Sequence, residues 1–113
     1  MSTVVALSEY EIERGKPTPS LLHAVIQSNL IRLLSTAYED YWVLPELSIV
    51  SSDDKPLVPD IAIYPKFEID WQHDVLRQSE APLATIEILS PKQNLSDLHD
   101  KAQRYFALGV TSC

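Results

Sequence analysis

The stretch Val58-Pro-Asp-Ile-Ala-Ile-Tyr64 decides how the rest of this chain is interpreted. It is a short, mostly β-branched apolar run that is closed by Pro65, which is the pattern of a buried strand. A carboxylate inside such a strand is costly to remove from water, so Asp60 needs a partner, a cation or a catalytic role. The stretch therefore predicts a strand that holds one acidic side chain.

A second run of the same kind, Thr85-Ile-Glu-Ile-Leu-Ser-Pro91, carries Glu87. Two carboxylates on neighbouring strands suggest a divalent metal. Mg²⁺ and Mn²⁺ prefer hard oxygen ligands and keep several waters, so one or two carboxylates and a substrate phosphate suffice to bind them. A nearby lysine would stabilise charge on a phosphoryl group and help to activate a water. Asp60 and Glu87 are therefore candidate ligands of Mg²⁺ or Mn²⁺ in a phosphodiester-hydrolysing site.

The composition is that of one ordinary globular domain. The chain has 113 residues, of which 45% are apolar and 22% are charged, and these values exclude disorder as the main state. No apolar run approaches the roughly 20 residues of a spanning helix, and no leader pattern is evident, so we expect a cytoplasmic protein. The net charge of −7 counts against a nucleic-acid partner, unless cations gather on one face or metal ions screen the carboxylates.

A first helix is predicted after the segment Pro17-Thr-Pro-Ser20, because prolines suit the turn before a helix and Thr18 or Ser20 can cap it. The helix should run to about Ala37. Its packing stripe at helical spacing consists of Leu22, Ile26, Leu30, Leu33 and Ala37. His23 falls beside that stripe, with Gln27 one turn further along at its edge. His23 is either a hydrogen-bonded histidine at the edge of the core or a residue that lines an active site.

Three strands are predicted by alternation and β-branched content, over residues 41–50, 58–64 and 83–89. Pro45 indicates an edge or an irregular start in the first strand. The turn-forming residues 51–56 connect the first two strands directly, so these two should form an antiparallel hairpin. Glu46 is either an additional acidic residue of the site, if its strand pairs beside Asp60, or a solvated carboxylate of the hairpin.

A second helix is predicted over residues 95–108. Its start resembles a capping box with Asp in place of Glu, and a glycine follows its end; these signals are Asn94, Asp97 and Gly109. On this helix Asp97, Lys101 and Tyr105 lie at successive i, i+4 positions, one above another. The spacing alone leaves open whether Lys101 forms a surface ion pair on its own helix or points at the acidic strands.

Three pieces of the sequence, in this order and spacing, resemble the Uma2 family, also called DUF820, of the PD-(D/E)xK restriction-endonuclease-like superfamily. They are Val58-Pro-Asp-Ile-Ala-Ile63, Ile86-Glu-Ile-Leu-Ser-Pro91 and Asp97-x-x-x-Lys101-x-x-x-Tyr105-x-x-x-Gly109-Val110. The resemblance implies a single α/β (α+β) domain over residues 1–113, with a restriction-endonuclease-like core in which helices flank a small mixed sheet. It also implies a metal-dependent DNA endonuclease of a family abundant in cyanobacteria.

The resemblance further implies roles for individual residues. Asp60 and Glu87 become ligands of Mg²⁺ or Mn²⁺, and both are catalytic together with Lys101. The lysine of the superfamily stands two residues after the glutamate, where this chain has Leu89, so the following helix is expected to supply it as Lys101. Lys92 is the rival, because it is closer in sequence. The residues that would line the site are Glu46, His23, Lys92 and Tyr105.

Members of the family usually continue past the position of Val110 with a further strand and a closing helix or hairpin. We therefore expect this chain to lack the C-terminal strand and helix of the family and to expose a sheet edge. The leading hypothesis is a nuclease whose partner is DNA, and the missing strand raises one alternative. The chain could be a catalytically silent binding or assembly module that keeps the fold and pairs through its edge, for example as a homodimer. Neither alternative involves a membrane.

Overall fold

The computed structural model describes residues 20–51, 55–89 and 94–113. Two helices and three strands lie within them: α1 Leu21–Ala37, β1 Tyr41–Pro45, β2 Ile61–Pro65, β3 Ala84–Ile86 and α2 Leu95–Leu108. The predicted α/β class is confirmed. Lys92 lies outside the described residues. No helix in the described ranges is long and apolar enough to cross a membrane.

The three strands form one antiparallel sheet in the order β1-β2-β3. Val43 stands opposite Ile63 in the first pair, and Ile61 stands opposite Ile86 in the second. The predicted antiparallel hairpin is therefore confirmed. Parallel pairing within the described part of the chain is limited to isolated bridges, which are Ile49–Gln78 and Ala84–Ser112.

Each strand is shorter than the sequence pattern predicts. β1 ends at Pro45, and Glu46 then takes a left-handed φ of 52° that leaves the strand conformation. β2 begins after Asp60 rather than at Val58. β3 ends at Ile86, because the N–H of Ile88 donates to the Asp60 carboxylate at 2.6 Å instead of joining a strand ladder.

Helix α1 has the predicted ends but packs with another face. Its N-cap is Ser20, whose hydroxyl accepts from the backbone N–H of His23 at 3.2 Å. The predicted packing stripe is wrong, since Leu22 is 72% and Leu33 is 62% exposed. The buried side of the helix is instead the side of His23, which is 5% exposed. Because the helix is apolar nearly all round, its periodicity could not select the packing face, which follows from the polar partner of His23 in the sheet.

Helix α2 begins and ends as predicted. Asn94 caps it by accepting from the N–H of Asp97 at 2.9 Å, and Gly109 ends it in the left-handed conformation with φ 103°. Tyr105 is fully buried and packs with Leu57 and Val110 in a hydrophobic cluster. The helix is thereby fixed against the segment that leads into β2.

The chain after α2 runs alongside β3. The N–H of Thr85 donates to the carbonyl of Ser112 at 3.0 Å, and the N–H of Thr111 donates to the carbonyl of Leu83 at 3.0 Å. These residues begin a parallel pairing on the side of β3 where the family resemblance predicts an exposed edge. Backbone groups of that side are therefore partly hydrogen-bonded within the chain.

Candidate active site

Asp60 occupies the last position before β2 and has no exposed surface. Its Oδ2 accepts a hydrogen bond of 2.6 Å from the N–H of Ile88. Its Oδ1 lies 3.1 Å from Nε2 of His23, which is 5% exposed. A buried carboxylate needs such donors to replace the water it has lost. The strand junction and α1 together therefore fix the direction of the Asp60 carboxylate.

Glu87 follows the last residue of β3 and receives two donors from α2. Its Oε1 accepts from the hydroxyl of Tyr105 at 2.8 Å and lies 3.0 Å from Nζ of Lys101. Lys101 also donates to the carbonyl of Val58 at 3.2 Å. Lys101 and Tyr105 reach the same oxygen because they are four residues apart on one face of the helix. Helix α2 thus directs Lys101 at Glu87, the acidic residue that follows β3.

The two acidic residues belong to one cluster. Ile61 pairs with Ile86 at the end of the β2–β3 ladder, and Asp60 and Glu87 are the residues next to this pair in the sequence. The N–H that binds the Asp60 carboxylate comes from Ile88, the neighbour of Glu87. Lys101 makes a second link between the two segments, because it contacts Glu87 after β3 and the carbonyl of Val58 before β2. Helix α1 thus supports the first acid of the cluster and helix α2 supports the second.

Gln27 and Glu46 extend the cluster on the side of α1. Nε2 of Gln27 lies 2.7 Å from the carbonyl oxygen of Asp60 and 3.4 Å from Oε1 of Glu46. The N–H of Glu46 also donates to the carbonyl of Asp60, at 3.3 Å. The structure therefore brings Glu46 next to Asp60, which is one of the two environments that its place in the sequence allows.

Tyr105 is held in its neutral form by its surroundings. Burial raises the pKa of its hydroxyl well above the ordinary value, and the negative charge and hydrogen bond of Glu87 raise it further. A phenol that keeps its proton is a permanent donor to the carboxylate. The ammonium group of Lys101 lies 5.9 Å from the centre of the Tyr105 ring. Helix α2 therefore gives Glu87 one neutral and one cationic donor.

The donor set of the cluster fits a small, hard divalent cation. Asp60 and Glu87 contribute carboxylate oxygens, which Mg²⁺ and Mn²⁺ prefer. A carboxylate has about four lone-pair sites, so the hydrogen bonds from His23, Lys101 and Tyr105 are compatible with coordination by the same groups. No group of three or more His, Cys, Asp or Glu side chains in the described ranges could hold a metal. Such a cation would therefore depend on the two carboxylates together with water or a phosphate.

The structure brings together most of the residues that the sequence nominates. His23, Glu46 and Tyr105 all contact Asp60 or Glu87 directly or through a shared partner. Gln27 is the residue whose importance the sequence reasoning missed. Its position in the sequence could have indicated this contact, because Gln27 stands one helical turn after His23 and the two must share a face.

Comparison with known proteins gives matches in sequence and in fold. A sequence model of the Uma2 family, described as "Putative restriction endonuclease", matches residues 5–112. Among solved structures, the fold resembles a crystal structure of a putative nuclease belonging to DUF820 from Anabaena variabilis ATCC 29413, with a TM-score of 0.70 and 24% sequence identity. That match covers 83% of this chain and 55% of the other. No curated protein matches. Because the family's sequence model spans nearly the whole chain, the protein belongs to the Uma2 family.

Proposed function

We propose that this chain carries the active site of a metal-dependent endonuclease that hydrolyses phosphodiester bonds in DNA. The observation that carries the proposal is the position of Lys101, whose Nζ lies 3.0 Å from Glu87 beside the buried carboxylate of Asp60. Two acids that can hold a cation, together with a lysine that can face a phosphate, are the groups this hydrolysis needs. Membership of the Uma2 family supports the same chemistry.

Asp60 and Glu87 are the residues that would hold Mg²⁺ or Mn²⁺. When bound, the ion would polarise the phosphoryl oxygens and lower the pKa of the attacking water. It would also offset the negative charge of the chain near a DNA backbone, since the net charge is −7. Binding of DNA by this protein is therefore expected to require the cation.

Lys101 supplies the positive charge of the protein at the reacting phosphate. Its side chain is 20% exposed while that of Glu87 is 7% exposed, so the lysine side chain is more accessible to solvent than the carboxylate it contacts. From there it can donate to a non-bridging phosphate oxygen and stabilise the charge that develops as water attacks. The contact with Glu87 keeps the ammonium group at the acids before the substrate arrives, which lowers the cost of orienting it.

His23 and Tyr105 hold the two acids in place. His23 contacts Oδ1 of Asp60 from α1, and Tyr105 donates to Oε1 of Glu87 from α2. Residues that support a ligand in this way fix its direction and tune its basicity. Helix α1 therefore supports Asp60 and helix α2 supports Glu87, and α2 also contributes the catalytic lysine.

Nicking of supercoiled plasmid DNA in Mg²⁺ or Mn²⁺ tests this proposal. Lys101→Met should lower the rate by about 100-fold or more, since removing one stabilising donor typically costs that much. Asp60→Asn and Glu87→Gln should abolish both nicking and metal dependence. Matched controls are Lys66→Met, which removes a lysine that lies over Trp42, and Glu39→Gln on the exposed surface. A wild-type protein that does not nick DNA with either ion, or a Lys101→Met variant with the wild-type rate, would refute the proposal.

A second candidate function is a silent assembly module that keeps the fold without cleaving DNA. The exposed apolar face of α1 favours it, because Leu21 and Leu22 are 79% and 72% exposed and such patches often mark association sites. Light scattering coupled to size exclusion measures the mass in solution. A homodimer without nicking activity would support this candidate, and a monomer that nicks DNA would exclude it.

A further inference from the structure

Helix α1 contacts both the side chain and the main chain of Asp60. His23 reaches the carboxylate with Nε2 at 3.1 Å, and Gln27 reaches the carbonyl oxygen with Nε2 at 2.7 Å. The two residues are one turn apart, so a single face of the helix makes both contacts. A residue held at both ends has little freedom to rotate. Gln27 is thus one of the groups that contact the backbone of Asp60.

The same amide group reaches Glu46, which has an uncommon backbone conformation. In the described ranges Glu46 is the one residue other than glycine with a positive φ, at 52°. An L-residue disfavours this region because its Cβ approaches a carbonyl oxygen. Such conformations persist where the surrounding structure enforces them, and they occur often at functional sites. Two contacts at this residue are the hydrogen bond from the N–H of Glu46 to the carbonyl of Asp60 and the contact of its side chain with Gln27.

We propose that Gln27 is a positioning residue of the active site, which acts on the metal ligand Asp60 through its backbone carbonyl and through Glu46. The inference rests on the proposed role of Asp60 as a ligand. The side-chain amide of glutamine has two N–H donors, which match the two acceptors that it faces. Loss of these donors releases Glu46 from its strained conformation. The junction between β1 and β2 then shifts, and the carboxylate of Asp60 moves with its backbone.

The test compares Gln27→Met with the matched control Asn29→Met. Methionine keeps an unbranched side chain of similar length but donates no hydrogen bond. Asn29 is an exposed amide on the same helix, where its Oδ1 accepts from Arg32 at 3.4 Å. Two quantities are measured on folded protein: the hydrogen exchange rate of the Glu46 amide without metal, and the affinity for Mn²⁺ by titration calorimetry. Gln27→Glu, which places an acceptor where the donors were, serves as a second variant if the first does not fold.

Gln27→Met should speed exchange of the Glu46 amide at least about tenfold and weaken Mn²⁺ binding by about 10-fold or more, the usual effect of removing a residue that supports a ligand. Asn29→Met should change neither. Lower thermal stability with wild-type affinity for Mn²⁺ would show a merely structural contact and would overturn the inference, as would unchanged exchange. If the wild-type protein binds no Mn²⁺, the proposed nuclease function fails. The exchange rate alone then decides whether Gln27 positions Asp60.

Discussion

Replacing Tyr105 by phenylalanine isolates one hydrogen bond at the centre of the cluster. The hydroxyl donates to Oε1 of Glu87 at 2.8 Å, and the tyrosine has no exposed surface. Phenylalanine keeps the ring, so the packing against Leu57 and Val110 survives and no cavity forms. The variant therefore removes the donor and little else.

The expected loss follows from the nature of the acceptor. A hydrogen bond to a charged group contributes about 1.5–3 kcal/mol to stability, compared with about 1 kcal/mol for a neutral pair. The ammonium group of Lys101 still contacts the same oxygen, so Glu87 keeps its cationic donor and the value should fall in the lower half of that range. Tyr105→Phe should thus lower the free energy of unfolding by about 1.5–2 kcal/mol near neutral pH.

The same hydroxyl makes the stability depend on alkaline pH. The pKa of Tyr105 is raised in the folded protein, first by burial and then by Glu87. Above about pH 10 the unfolded chain releases the tyrosine proton while the folded chain retains it, so stability falls as the pH rises. Each such tyrosine lowers the free energy of unfolding by up to about 1.4 kcal/mol per pH unit in this range. The pKa of Tyr64 is also raised, by burial and by Glu80. Tyr64 therefore adds its own loss of stability at alkaline pH, and this loss persists in Tyr105→Phe.

Urea unfolding at neutral pH and from pH 9 to 11 measures both effects. Tyr105→Phe should lower the urea midpoint at neutral pH without changing the m-value. Between pH 9 and 11 its free energy of unfolding should fall less steeply than that of the wild type. Tyr38→Phe, on a residue that is 54% exposed, should match the wild type in both respects. Equal neutral stability of Tyr105→Phe and wild type, or an unchanged alkaline slope, would refute the reasoning.

Three further predictions test the fold, each by urea or thermal unfolding. Gly109→Ala should lose about 1–2 kcal/mol, because φ is 103° and a Cβ would meet open space, so backbone strain alone acts; an unchanged stability would contradict this. Asn94→Ala should lose about 1 kcal/mol and Asn94→Asp should retain most of it, because aspartate also caps helices. Leu57→Ala should lose about 2–5 kcal/mol, whereas Leu22→Ala should stay within about 0.5 kcal/mol. Similar losses at both leucines would contradict the orientation of α1.

Local signals in the sequence predict the helices well. Ser20 and Asn94 cap their helices, and Gly109 ends the second, because each of these choices depends on hydrogen bonds within a few residues. The orientation of α1 depends instead on contacts with the sheet. Its apolar residues surround most of the helix, so the hydrophobic pattern gives no unique face. The buried pair of His23 and Asp60 selects the face, and that pair joins residues far apart in the chain.

The strands and the candidate site are likewise predicted only as far as local sequence determines them. The apolar runs reveal that Asp60 and Glu87 stand at neighbouring strands, which the register bears out. They do not reveal where the strands end, since β3 stops where Ile88 donates to Asp60. The left-handed conformation of Glu46 and its contact with Gln27 also arise from tertiary structure.

Titration calorimetry with Mn²⁺ tests the central claim most directly, because it requires no knowledge of the DNA substrate. The wild-type protein is compared with the double variant Asp60→Asn, Glu87→Gln, which keeps the size of both side chains and removes their negative charge. We predict that the wild type binds Mn²⁺ and that the folded double variant does not. A folded wild type that binds no Mn²⁺, or a double variant that binds it with unchanged affinity, would contradict the assignment of the metal to these two acids.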